Sequence, residues 1–152
     1  MMNILKNFKN ILLDPIFYVP VILCVIVIMI GSVFQKPVQA SMNLDIVSVF
    51  GMKFDLWSLS HLFLYIYFGY FFPQYFLEFL IIGSAWEIFE STYCKDTFLN
   101  IIGCDPGSKR FVCKSLENNR DCKYWYGKID DVMVNMIGFV IGAAIAKARG
   151  RY

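Results

Sequence analysis

What most constrains this chain is where its charges are absent. Four blocks, at about residues 16–34, 56–72, 75–93 and 131–148, are dominated by apolar residues, and most of the charged residues fall between them. A helix rises about 1.5 Å per residue, so roughly 20 apolar residues cross the ~30 Å hydrocarbon core of a bilayer. A helix also satisfies its own backbone polar groups, which lipid demands. The blocks therefore predict an all-α chain, an integral membrane four-helix bundle that forms one transmembrane domain over residues 1–152. The composition agrees: 58% of the residues are hydrophobic and 17% charged, against about 45–50% and 25% in soluble domains.

The connections add detail. Residues 2–13 read as an amphipathic helix, with Ile4, Leu5, Phe8, Ile11 and Leu12 on one face and Lys6, Asn7, Lys9 and Asn10 on the other. Such a helix lies in the headgroup layer, and Asp14-Pro15 ends it. The first block holds no charge and Pro20 in its early turns. Val38-Gln39-Ala40 has the look of a signal-peptide cleavage site, but the apolar run exceeds the usual h-region of about 7–15 residues, so it reads as a retained span. Residues 35–55 form a polar connection with an apolar patch around Gly51, suggesting a small hairpin or an interfacial segment. Pro73-Gln74 makes a tight turn, so the second and third blocks form an antiparallel helical hairpin. The largest extramembrane segment, 94–129, carries Cys94, Cys104, Cys113 and Cys122.

Polar residues inside spans are costly and therefore informative. The second block carries His61, the only histidine; the third carries Glu78, Glu87 and Glu90; the fourth opens with Asp130, Asp131 and Asn135. Counted from the span ends, His61, Glu87, Glu90, Asp131 and Asn135 all fall within roughly 10 Å of the surface that bears the two longer loops. Glu78 falls near the opposite surface and reads as a snorkelling residue. Asp131, Asn135, Gly138 and Gly142 share one helical face, as do His61, Tyr65 and Gly69. Gly138, Gly142 and Ala146 form a small-residue ridge suited to close helix packing. Trp57, Trp86, Tyr93 and Trp125 read as an interfacial aromatic belt on the loop side.

His61 with Tyr65, Glu87, and the D-x3-N-x2-G-x3-G pattern of Asp131, Asn135, Gly138 and Gly142 resemble the VanZ-like family of small multi-pass membrane proteins. The resemblance covers about residues 16–148 in layout. It implies four spans and a candidate site at these positions, in a family associated with glycopeptide-antibiotic tolerance. Two features depart from the family pattern: Glu90 stands where members often carry glutamine, and the four-cysteine loop is long.

Two functional readings follow, from different classes. In the first, His61 is a general base or a ligand and Glu87, Glu90 and Asp131 are its carboxylate partners, acting on or binding a lipid headgroup or a lipid-linked phosphate. Interhelical hydrogen bonding explains the same residues without chemistry. In the second, the chain is a non-catalytic scaffold of a cell envelope or membrane-containing particle that docks through the 94–129 loop. A transporter ranks last, because acids confined to one surface give no continuous polar path. The partners expected are membrane lipids and other membrane or envelope proteins. A net charge of +2 without a basic, aromatic-interleaved stripe argues against nucleic acid. P-loop, dinucleotide-binding, zincin and G-x-S-x-G motifs are all absent, and the residues choose neither a cofactor nor a metal.

The cysteine spacing C-x9-C-x8-C-x8-C lacks the paired ligands of a zinc site and fits disulfides, in three possible connectivities, on an oxidising side. Cys24 lies mid-span and reads as inert packing. Nine Lys and Arg lie on the loop side and five on the termini side, which taken alone would put the loops in the cytoplasm. The cysteines, and the basic residues that flank the first and last spans directly, favour the reverse: termini cytoplasmic, loop exoplasmic or lumenal.

Overall fold

The computed structural model describes residues 4–42, 44, 46–49, 52–93 and 129–151, and these are mostly helical. The cysteine-bearing segment lies outside them, so the disulfide expectation for Cys94, Cys104, Cys113 and Cys122 does too. Helix α1 spans Ile4–Leu13 and α2 spans Pro15–Val33. Asp14 separates them because its carboxylate caps α2, accepting from the Ile16 amide at 2.9 Å, and Pro15 suits a first helical position. The pair bends by 75° at this point.

The connection from 35 to 55 is more ordered than a polar linker. It holds a helix α3 (Gln35–Met42), with Pro37 in its first turn where the missing amide costs nothing. A two-stranded antiparallel hairpin follows, β1 (Val47–Val49) and β2 (Met52–Phe54), in the register Val47 to Phe54 and Val49 to Met52. Helix α4 (Leu56–Phe71) leads through a 3-10 turn (Pro73–Tyr75) into α5 (Phe76–Tyr93), and α6 covers Ile129–Ala148.

The chain turns by 115° between α4 and α5, well short of the half-turn of an antiparallel hairpin. Bulky rings set this splay. Phe68 stacks on Phe79 with centroids 4.4 Å apart, and Phe139 meets Phe76 at 5.4 Å and Phe79 at 5.7 Å. Each such pair contributes about 0.5–1.5 kcal/mol beyond burial. Helices α4 and α6 instead run in backbone contact. A Cβ on Gly142 would meet the Ile66 carbonyl oxygen, and one on Gly69 would meet that of Phe139. One on Gly138 would come within 2.6 Å of the Leu62 carbonyl oxygen. Helix α2 joins this core through its first turns: Phe17 packs on Phe68 at 5.9 Å, and the Tyr67 hydroxyl donates to the Ile16 carbonyl at 3.0 Å.

Two assignments to α1 and α5 change. Glu78 does not snorkel; it is fully buried, and its Oε1 accepts from the Asn7 amide at 2.7 Å. Asn7 therefore belongs to the packed face of α1 beside buried Ile11, while Leu5 and Leu12 are exposed. A buried carboxylate needs a donor, and the helix above supplies it.

Among the described residues, Asp130–Ala148 is the one helix long and apolar enough to cross a membrane by itself. The segments Ile4–Leu13 with Pro15–Ile30, and Leu56–Phe71 with Pro73–Thr92, meet that measure only as bent pairs.

Candidate functional site

The site is built from the start of α4. Asp55 is extended and accepts from the Ser58 amide through Oδ1 at 2.8 Å, so it caps the helix and fixes where its first turn begins. Ser58, His61 and Tyr65 then recur on one face, three and four residues apart, and that face turns towards α6. The Ser58 hydroxyl donates to Asp131 Oδ1 at 2.8 Å and also lies 3.2 Å from Asp55 Oδ1. One hydroxyl proton thus stands between two carboxylates, and the shorter contact is to Asp131. Four residues further along α6, Asn135 Oδ1 lies 3.1 Å from His61 Nδ1.

Helix α5 supplies the third side. Glu87 Oε1 lies 3.9 Å from His61 Nδ1. One turn earlier, Gly83 admits this approach: a Cβ there would strike the Tyr65 hydroxyl and lie 3.1 Å from Asn135 Nδ2. The Tyr65 hydroxyl donates to the Phe79 carbonyl at 3.2 Å and ties α4 to α5 beneath the cluster. Next to Asn135 and Gly83 is a cavity of about 10 Å³, about enough for one water.

Burial makes the arrangement energetically serious. Asp55, Ser58, Glu87, Asp131 and Asn135 are all buried, whereas the His61 side chain is 18% exposed and opens the cluster at one edge. Burying carboxylates together is costly unless countercharge and hydrogen bonds accompany them. His61, Glu87 and Asp131 each bring a possible metal-ligating atom within 4.8 Å of the other two.

Of the residues singled out from the sequence, the structure gathers His61, Glu87, Asp131 and Asn135. Glu90 is half-buried one turn further along α5 and is not one of the three residues, His61, Glu87 and Asp131, whose ligating atoms lie within 4.8 Å of one another. Gly138 and Gly142 lie against the α4 backbone. Asp55, Ser58 and Gly83 were not anticipated. The signal for the first two was an acid immediately ahead of an apolar run with a hydroxyl three residues on, a helix-start pattern. Gly83 had no comparable signal, because its use depends on which helix crosses it. No family model matches this chain, and neither curated proteins nor solved structures yield a match.

Proposed function

We propose that this chain is a multi-pass membrane protein, similar to the VanZ-like family, that binds a lipid headgroup or lipid-linked phosphate between α4, α5 and α6. The observation that carries this reading is the convergence of His61, Glu87, Asp131 and Asn135 from three helices, with His61 at the open edge. Beyond the hydrogen-bonded pairs Ser58–Asp131 and His61–Asn135, Glu87 brings a further carboxylate from a third helix to 3.9 Å from His61. His61 and the Asn135 amide can donate to headgroup oxygens, and the carboxylates orient or accept protons.

The membrane arrangement that goes with it has α2, α4, α5 and α6 as four spans. Supporting it, large apolar residues on the outer faces of α2 and α6 are well exposed, among them Ile22 at 57%, Met29 at 63% and Val140 at 58%. A soluble chain rarely leaves such faces uncovered, and lipid covers them. The 115° turn accords with α4 and α5 tilting in opposite senses, each by about 30°, within the range of membrane helices. Epitope tags inserted after residues 43 and 109 test the arrangement. Four spans put both tags on one face of the membrane; one broken span made of α4 and α5 puts them on opposite faces.

Headgroup binding is tested in nanodiscs that hold phosphatidic acid, phosphatidylethanolamine or phosphatidylcholine. The purified protein is expected to retain phosphatidic acid preferentially when the retained lipid is extracted and quantified. Equal retention of the three would remove the reading.

A further inference from the structure

A headgroup phosphate and two or three buried carboxylates repel one another, so binding needs something that reverses the sign of the site. We propose that His61, Glu87 and Asp131 jointly hold one divalent metal cation of the manganese or zinc class, through which an anionic headgroup enters. The second half of this inference rests on the headgroup reading; the first half does not.

The donor set fits. One imidazole nitrogen and two carboxylate oxygens lie within 4.8 Å of one another. Ligands held at about 2.0–2.2 Å from a tetrahedrally coordinated ion stand about 3.3–3.6 Å apart, so binding needs the side chains to close by about 1 Å at most. A mixed nitrogen and oxygen set suits Mn2+ and Zn2+ better than a cation that takes oxygen alone.

The surroundings fit as well. Metal ligands are oriented by partners behind them. Ser58 Oγ donates to Asp131 Oδ1 at 2.8 Å and so fixes one of the three donors. The three donors come from three different helices: backbone contact at Gly69, Gly138 and Gly142 sets the spacing of α4 and α6, and Gly83 brings α5 against Tyr65 and Asn135. Three protein donors leave further coordination positions for water or substrate oxygens, the arrangement of sites that act on a ligand. A bound cation would neutralise the buried carboxylates and polarise a phosphoryl oxygen.

Mn2+ is the probe of choice, because it is paramagnetic and prefers nitrogen and oxygen donors to sulfur. Chelator-stripped protein in nanodiscs is titrated with Mn2+ and free ion is read by electron paramagnetic resonance. One equivalent is expected to bind, and Glu87→Gln and Asp131→Asn should each weaken it at least about 10-fold. Because the chain has one histidine, bound Mn2+ should also broaden the single labelled imidazole signal, a readout that needs no variant to fold. Absence of tight Mn2+ binding, or binding that leaves the His61 signal unbroadened, overturns the proposal. The same nanodiscs separate the two ideas. Phosphatidic acid preference that persists without Mn2+ binding sinks the metal and leaves the headgroup reading. Mn2+ bound at His61 without any headgroup preference does the opposite.

Discussion

Gly142→Leu is expected to lower the stability of the protein by about 3 kcal/mol or more, and in practice to abolish its recovery as a monodisperse species. A Cβ at this position would meet the Ile66 carbonyl oxygen and lie 2.8 Å from the Tyr70 amide nitrogen. The obstacle is backbone, which cannot rotate away as a side chain can. Inserting atoms into a packed interface costs about 1–3 kcal/mol even when side chains can yield, and more when they cannot. Within lipid there is little hydrophobic drive to restore the pair, so helix association depends on the close packing that glycine permits. Gly69→Leu should behave in the same way, since a Cβ there would meet the Phe139 backbone from the other helix. Ala144→Leu is the matched control: Ala144 is exposed on the outer face of α6. Unfolding by graded detergent denaturation checks all three. A Gly142→Leu protein as stable as the Ala144→Leu protein would mean that α4 and α6 do not touch as described.

Glu87→Gln is expected to reduce retention of phosphatidic acid by about 10-fold or more while leaving the fold in place. Glutamine has nearly the same shape as glutamate, so packing against α4 and α6 is kept. The charge is lost, and with it the attraction for a cation held between Glu87 and His61, whose Nδ1 lies 3.9 Å away. At 3.9 Å the contact is an electrostatic one and not a hydrogen bond, and about 1.4 kcal/mol lost from it is tenfold in affinity. Were the cluster only interhelical glue, the pattern would invert. Contacts of that kind average about 0.6 kcal/mol in bundles, so stability would shift slightly and lipid retention would not move. Lipid retention and detergent unfolding, measured on the same preparation, distinguish the two patterns.

How much of this was legible in the sequence depends on whether a single element carried the information. The face of Asp131, Asn135, Gly138 and Gly142 could be read from spacing, since residues three and four apart on a helix are neighbours. The structure accounts for both halves of that motif, with two polar residues facing His61 and Ser58 and two glycines against the α4 backbone. Whatever depended on two elements meeting was illegible. Glu78 looked like a surface acid, and only the docking of α1 brings Asn7 over it. Glu90 shares a face with Glu87 by spacing, yet Glu87 is buried and Glu90 only half-buried, a difference that spacing does not give. Pro73 announced a turn, but its angle comes from how Phe76, Phe79 and Phe139 stack. Helix α3 was hidden because Gln35–Met42 is short and polar, with no apolar stripe to betray it.

The central claim is that His61 stands at headgroup level and faces lipid phosphate. Because the chain has one histidine, solid-state nuclear magnetic resonance can measure dipolar coupling between its labelled imidazole nitrogens and lipid phosphorus without ambiguity. The account predicts measurable coupling in bilayers containing phosphatidic acid, and its loss in Glu87→Gln. An imidazole that shows no coupling to phosphorus in any bilayer, while its ring remains hydrogen-bonded to Asn135, would contradict it and leave the cluster as structural pairing between helices.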